Sequence, residues 1–374
     1  KTVMIIAGEA SGDMHGAGVV QEMLKLDPTL QFYGIGGNKL AGAGVKLLAN
    51  TSEMAVLGFT EIIAKLHKFL KVLDLAKKSL DDLRPDLVIL IDFAAFNLRI
   101  APEARKRGIK VFYYVSPQVW ASRKGRIRKI KKVVDKMAVI LPFEVETYKE
   151  KGFTVEYVGH PLLDLVVPKY SKLESRKKFN IPENKTTIGL LPGSRIAEVE
   201  KLLPEMLKAA EILAQKIPDI HFVLPLADSL DTKMVTGIIS RSDIKVDVIS
   251  GQTYNVIACT DLAIVASGTA TLETALLGIP MIIVYKTSPI TYFIGKMVVT
   301  VKNIGLVNII AGRTIVPELI QEEAAGANIA QEAWAILTNH ERKKEIIGQL
   351  AAIRTKLGKP GAARRAAQLA YDMI

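Results

Sequence analysis

The sequence predicts an α/β protein built as two doubly wound parallel-sheet domains. Its 374 residues are enough for two domains. Short β-branched runs alternate with helical patterns along the whole chain, as βαβ crossovers require. The alternation also breaks once, over Pro161–Lys185, and then restarts.

The first series of strands is read at Val3–Ala7, Leu87–Ile91, Val111–Val115, Met137–Leu141 and Val155–Val158. Each is a nearly unbroken apolar run, the signature of a strand covered on both faces. The second series falls at Thr187–Leu191, His221–Leu224, Val246–Ile249, Leu262–Val265 and Met281–Tyr285. Pro161–Lys185, with three prolines and mixed polarity, is the expected linker. A ligand cleft is expected between the domains, at strand carboxyl ends. The helix read at Val199–Ala214 follows a strand directly, and Ala362–Met373 is an alanine-rich helical tail.

Hydrophobic residues make up 49% of the chain, which excludes a disordered or fibrous protein. The single cysteine, Cys259, excludes a disulfide framework and points to a reducing compartment. No apolar run approaches the roughly 18 residues of a membrane span. The apolar run before Gly8 is too short for a signal-peptide core, and without a leading Met the N-terminus is expected to be trimmed.

The net charge of +12 is uneven. Residues 1–170 hold 26 Lys and Arg against 18 Asp and Glu, a net +8, and Ser122–Lys136 alone holds eight basic residues. Such a run is either a solvated helix face or a surface for nucleic acid or anionic lipid. It lacks the aromatic interleaving that suits base stacking. Thr60–Leu80 places Ile62, Ile63, Leu66, Phe69, Leu70 and Leu73 on one helical stripe, with lysines on the other positions. The preceding Met54–Phe59 extends that surface through Val56, Leu57 and Phe59. This is either a core-facing helix or one that lies in a membrane interface.

Several strand ends carry polar residues suited to chemistry. Glu9 follows the first strand within Gly8-Glu-Ala-Ser-Gly-Asp13 and Asp92 follows Leu87–Ile91, with Asn97 beyond it. Either carboxylate can serve as a general base at a cleft, and spacing does not decide between them. Asp92 can equally cap the following turn. Gly34-Ile-Gly-Gly37 does not complete a dinucleotide fingerprint, and there is no GxxxxGK[ST] loop. Gly193, Ser194 and Arg195 follow Thr187–Leu191 and open a helix, as an anion-binding turn or, alternatively, as a plain junction with Ser194 as N-cap. Glycine allows close backbone approach, the helix N-terminus attracts anions, and arginine forks to phosphate. Ser267, Gly268, Thr269 and Ala270 repeat the pattern after Leu262–Val265, with Glu273 placed to hold ribose hydroxyls. Together the two turns point to a nucleoside diphosphate. The five histidines show no metal-ligand spacing and read as structural or solvated.

AGEASGD (7–13), YVSPQVWA (114–121), LPFE (141–144), YVGHP (157–161), LPGSRIAEVE (191–200), ASGTATLE (266–273) and NIIAGR (308–313) together resemble the lipid A disaccharide synthases, family 19 glycosyltransferases of bacteria. The motifs span nearly the whole chain in family order. The resemblance implies a GT-B fold, two facing Rossmann-like domains with the C-terminal helix crossing back to the first. It places the first domain at 1–168 with about 350–374, and the second at 169–349. It implies transfer of 2,3-diacylglucosamine from its UDP donor to the 6-hydroxyl of 2,3-diacylglucosamine 1-phosphate (lipid X). UDP leaves, the anomeric centre inverts, and neither metal nor cofactor is used.

Carried over by position, Arg195, Ser267, Thr269 and Glu273 fall at UDP-binding positions, and Gln321 with Glu322 at a donor-side segment. Glu9, Asp92 and Asn308 fall at the reacting centre. The resemblance also implies a cytoplasmic protein peripheral on the inner face of the inner membrane. There the stripe from Val56 to Leu73 meets anionic lipid and acyl chains, with no nucleic-acid partner and with room for a homodimer. Two departures stand out: Asp92-Phe-Ala-Ala-Phe-Asn97 replaces D-x-P-D-F-N, and Leu306-Val-Asn308 replaces L-P-N. The rival readings are another UDP-sugar enzyme such as a UDP-N-acetylglucosamine 2-epimerase, and a basic nucleic-acid-binding protein.

Overall fold

The computed structural model describes residues 1–51, 61–119, 124–287 and 303–374, with backbone alone at 61–66 and 124. They form two compact units, Lys1–Pro161 with Lys359–Ile374, and Leu162–Gly358. The chain thus leaves the first unit before the expected 168 and returns after the expected 350. The reason is that 162–185 is no free linker. Leu162 and Leu163 are buried, and the helix Lys172–Lys178 carries a capping box between Ser171 and Glu174. Arg176 on that helix is buried, bonding to the Cys259 carbonyl and to Asp261.

In the first unit, β1 (Thr2–Ala7), β2 (Gln31–Gly36), β3 (Lys46–Asn50), β4 (Leu87–Ile91), β5 (Lys110–Tyr114), β6 (Lys136–Val139) and β7 (Glu156–Tyr157) form one sheet. Their order is β3-β2-β1-β4-β5-β6-β7 and every pair is parallel. β1 and β4 are central, and every residue of β4 is buried. The final helix, Ala362–Tyr371, packs through its alanines on the helix Ala10–Leu26. Arg365 fastens it by donating to the Val158 carbonyl at 2.8 Å.

In the second unit, β8 (Thr186–Leu191), β9 (Ile220–Leu226), β10 (Val246–Ser250), β11 (Leu262–Ala266), β12 (Met281–Tyr285) and β13 (Glu318–Ile320) form a parallel sheet ordered β10-β9-β8-β11-β12-β13. Both sheets are doubly wound. The strand order reverses between β1 and β4 in one and between β8 and β11 in the other. Loops diverge at such reversals and leave a crevice at the strand carboxyl ends. β2, β3 and β13 are additions to the strands read from sequence, and Gly34–Gly36 closes β2 rather than forming a nucleotide loop.

The helix Glu61–Leu83 turns Val72, Leu73, Ala76 and Leu80 into the core of the first unit. Leu73, expected on a lipid-facing stripe, is therefore corrected to a core residue, only 5% exposed. Burying such a side chain contributes about 1.5–3 kcal/mol. Phe69 is half-buried against Phe93 and Phe96, whereas Leu70 is 46% exposed. Val56, Leu57 and Phe59 lie outside the described residues, as do the side chains of Ile62, Ile63 and Leu66. In the basic run, the helix Ile127–Val133 buries Ile127 and Ile130 and exposes Arg128, Lys129, Lys131 and Lys132. Among the described residues no helix is long and apolar enough to cross a membrane.

Candidate active site

The polar residues singled out at strand ends fall at the two reversals of strand order. At the first, β1 runs into Glu9 and β4 runs into Asp92. Glu9 is exposed and is the N-cap residue of the helix Ala10–Leu26. Asp92 and Phe93 both adopt left-handed conformations, with φ of 44° and 41°, before the helix Ala94–Lys106 begins. Ala94 and Ala95 are thus the first two residues of that helix. Proline is well tolerated there and an acidic residue favoured, so the two replacements leave the turn itself to Asp92 and Phe93.

Burial, and secondarily the negative charge of Glu9, raise the Asp92 carboxyl to a pKa of about 6. A bond from the Phe93 amide opposes the shift. Of the two carboxylates, Asp92 therefore has the environment of a general base poised near neutrality. Asn97 donates to the carbonyls of Ile91 and Asp92 at 3.1 and 2.8 Å, and the Tyr113 hydroxyl also donates to the Asp92 carbonyl. Tyr113, on β5, carries no local sequence signal of this role.

Two motifs near this edge are structural. Asp13 accepts from the amides of Gly37, Lys39 and Leu40 and so caps the helix Asn38–Gly42. Glu144 accepts from the Ser116 hydroxyl and the Leu141 amide, closing its own turn. His15 and His160 are buried, and their pKa values fall to about 4 and about 3 because burial disfavours the imidazolium. The His15 ring meets Tyr114 edge-on, with centroids 6.5 Å apart.

At the second reversal, β8 leads into Gly193, Ser194 and Arg195. Gly193 has φ of +113°, and a Cβ there would come within 2.4 Å of the Glu198 carboxylate. Glu198 accepts from the Ser194 amide and from the Arg195 guanidinium at 3.0 Å. The N-cap of the helix Ile196–Lys216 is Arg195, so the alternative of a junction capped by Ser194 is not what forms; the Ser194 carbonyl receives the Ser229 hydroxyl. The Arg195 side chain is 70% exposed at this edge.

β11 leads into Ser267 and Gly268, and the helix Thr269–Leu276 follows with no side chain capping its first turn. Among the described residues, a Cβ at Gly268 would meet nothing within 4 Å. Ser267 donates to the Ile304 carbonyl at 3.3 Å. Glu273, raised by burial, is held by the Tyr254 hydroxyl at 3.0 Å. Tyr254 is a second residue that sequence reasoning misses.

Asn308 and Gln321 are both engaged by side-chain hydrogen bonds within the second unit. Asn308 is fully buried, and its amide donates to the Val316 carbonyl and to Glu318. Its oxygen accepts from the Ile315 and Val316 amides. All four hydrogen-bonding positions of Asn308 are thus used inside its own unit. Glu318 accepts in addition from the Ile304 and Gly305 amides, so the pair secures the loop beneath Ser267. Gln321, at φ 55°, bonds through its side-chain amide to both backbone groups of Thr287 and so supports that loop. Glu322 lies on the adjoining 3₁₀ turn.

A family model described as lipid-A-disaccharide synthetase matches residues 3–372. A lipid-A-disaccharide synthase of Syntrophus aciditrophicus (strain SB) is 53% identical over 375 residues, covering 100% of this chain and 98% of that protein. Among solved structures, a UDP-N-acetylglucosamine 2-epimerase from Listeria monocytogenes, described as putative, aligns with TM-score 0.67 at 15% identity over 97% of this chain and 94% of that one. A MurG structure from Acinetobacter baumannii aligns with TM-score 0.59 at 16% identity over 100% and 99%. At such identities these two share the GT-B fold with this chain.

Proposed function

The chain belongs to the lipid-A-disaccharide synthase family and is a glycosyltransferase of lipid A disaccharide synthesis acting on UDP-sugar lipid substrates, and from that premise we propose how its residues divide the reaction. The second unit holds UDP-2,3-diacylglucosamine. Arg195 and the open N-terminus of the helix Thr269–Leu276 take the diphosphate, and Glu273 takes the ribose. The first unit receives the acceptor, 2,3-diacylglucosamine 1-phosphate, at Asp92.

In the transfer, the acceptor 6-hydroxyl oxygen attacks the donor anomeric carbon. The bond from that carbon to the β-phosphate oxygen breaks, and its electron pair leaves with UDP. Asp92 takes the hydroxyl proton, and Arg195 with the helix amides meets the charge gathering on the diphosphate. The carbon inverts because attack and departure occur on opposite faces. Asp92 carries this reading, being a half-buried carboxyl raised toward neutrality at a reversal of strand order.

The fit to a membrane surface is part of the same proposal. The helix Glu61–Leu83 keeps Lys68, Lys71 and Lys78 exposed beside Leu70 and Leu75. Acylated substrates and anionic headgroups suit such a surface. The deciding experiment incubates the protein with UDP-2,3-diacylglucosamine and lipid X and looks for the disaccharide 1-phosphate by mass. Folded protein that yields no product would overturn the division of labour. Turnover of the unacylated UDP-sugar alone would favour an epimerase-like activity. Loss of sedimentation with anionic liposomes in a Leu70→Ser, Leu75→Ser variant would support the membrane surface, and unchanged sedimentation would remove it.

A further inference from the structure

We propose that Tyr113 and Asn97 are positioning residues of the transfer, which clamp the Asp92 main chain in its left-handed turn and thereby aim the carboxyl. The inference rests on Asp92 acting as the base. Two consecutive non-glycine residues at positive φ, Asp92 and Phe93, are strained, and such strain persists only where the surroundings over-determine it. Here they do. The Asp92 carbonyl receives both the Tyr113 hydroxyl and the Asn97 amide. The same amide group reaches the Ile91 carbonyl, one residue earlier. The Asp92 amide in turn donates to the carbonyls of Tyr114 and Val115 at 3.3 and 3.2 Å.

A buried tyrosine needs some partner for its hydroxyl, and an ordinary core tyrosine satisfies that need with any nearby carbonyl. Tyr113 instead adds a second donor to a carbonyl that Asn97 already serves. The Asn97 side chain tells the same story. Both carbonyls face its NH₂ group, while its Oδ1 is buried with no hydrogen-bond partner among the described residues. The opposite amide orientation would set that oxygen against two carbonyl oxygens, so the clamp is kept at the expense of an unsatisfied acceptor. Strain, doubled donation and a sacrificed acceptor all converge on one residue, the one with the raised carboxyl.

The test compares Tyr113→Phe with Tyr148→Phe, the same change at another buried tyrosine of the first unit. Turnover of the two lipid substrates is measured across pH 5–9, alongside thermal unfolding. The expected result is kcat lowered by about tenfold or more in Tyr113→Phe. KM should stay within about twofold, and the acid limb should move to lower pH as the released carboxyl gains water. Tyr148→Phe should keep the wild-type kcat and acid limb. Equal kcat and an unmoved acid limb in folded Tyr113→Phe would overturn the inference. If that variant does not fold, Asn97→Ser takes its place: a lowered kcat with a displaced acid limb supports the clamp, and wild-type values of both overturn it. Asp92→Asn is run in parallel. Near-normal turnover there would remove Asp92 as the base, a failure distinguishable from an inert Tyr113 beside an essential Asp92.

Discussion

The ring of Phe93 occupies the space that a side chain on Gly8 would need: a Cβ there would lie 2.1 Å from Phe93 Cγ. The loops after β1 and β4 are therefore interlocked beside Asp92, and Phe93 in turn stacks on Phe96 with centroids 5.3 Å apart. Gly8→Ala should push Phe93 out of that stack, lowering stability by about 1–3 kcal/mol and turnover more steeply. Adding Phe93→Ala should recover part of the lost stability, because the two side chains compete for one space. Thermal unfolding of the single and double variants checks this, and strict additivity would contradict it.

Turnover should follow the ionisation of Asp92. With the carboxyl at about 6, kcat/KM rises through that pH and then levels, and Asp92→Asn abolishes turnover while UDP still binds. The stability effect has the opposite sign to the usual carboxylate. The folded-state value lies above the ordinary 3.8, so this group's contribution is full below pH 3.8 and is lost as pH rises through about 6. Asp92→Asn should accordingly be more stable than the natural chain at pH 8, by about 1–2 kcal/mol. Near pH 3.5 the two should be alike, as denaturant titrations at both pH values can show.

His15 and His160 act in the other direction. Their folded-state values of about 4 and about 3 lie below the ordinary 6.5, so the stability from keeping them neutral is complete above pH 6.5 and is lost as pH falls toward 4 and below. Holding a pKa one pH unit below its ordinary value corresponds to about 1.4 kcal/mol, so the loss between pH 6.5 and 4.5 should be steep. His160→Asn should flatten that slope, as measured by urea midpoints at half-unit intervals. An unchanged slope would assign acid sensitivity to other groups.

In the second unit, Arg195→Ala should weaken UDP binding by roughly tenfold to a hundredfold, the loss of a charge-assisted phosphate contact. Tyr254→Phe should weaken it less, since Glu273 keeps its place and loses one bond. Calorimetry with UDP ranks the two.

Asn308→Ala should separate support from contact. Removing the side chain strands two amides and a carbonyl and takes one of the bonds to Glu318, costing about 1–3 kcal/mol of stability. A full loss of turnover with unchanged thermal stability would place Asn308 at the reacting centre.

The sequence made most of the fold legible where a strand is one unbroken apolar run, as in LVILI of β4 and MIIVY of β12. It hid β2, whose QFYGIG is interrupted by glycine and polar residues, and β13, which is only three residues long. Asp92 could be read as a strand-end residue because it directly follows such a run, and Arg195 because only a short turn separates it from one. Tyr113 and Tyr254 were not, because their partners lie 21 and 19 residues away and only sheet order brings them close. The internal partners of Asn308 were hidden for a related reason. A polar side chain near a motif suggests contact with substrate, yet here three neighbouring backbone groups and a carboxylate consume it.

The split of the first unit between the two ends of the chain has a consequence for its birth on the ribosome. The helix that follows Glu9 packs against Ala362–Tyr371, so the unit holding Asp92 lacks a wall until the segment after Gly358 emerges. At about 5–20 residues per second, the intervening Leu162–Gly358 takes roughly 10–40 s to synthesise. During that wait the nascent Ala10–Leu26 helix exposes the face that Ala362–Tyr371 will cover, so a chain stopped before that helix should hold a complete second unit and an unfinished first one.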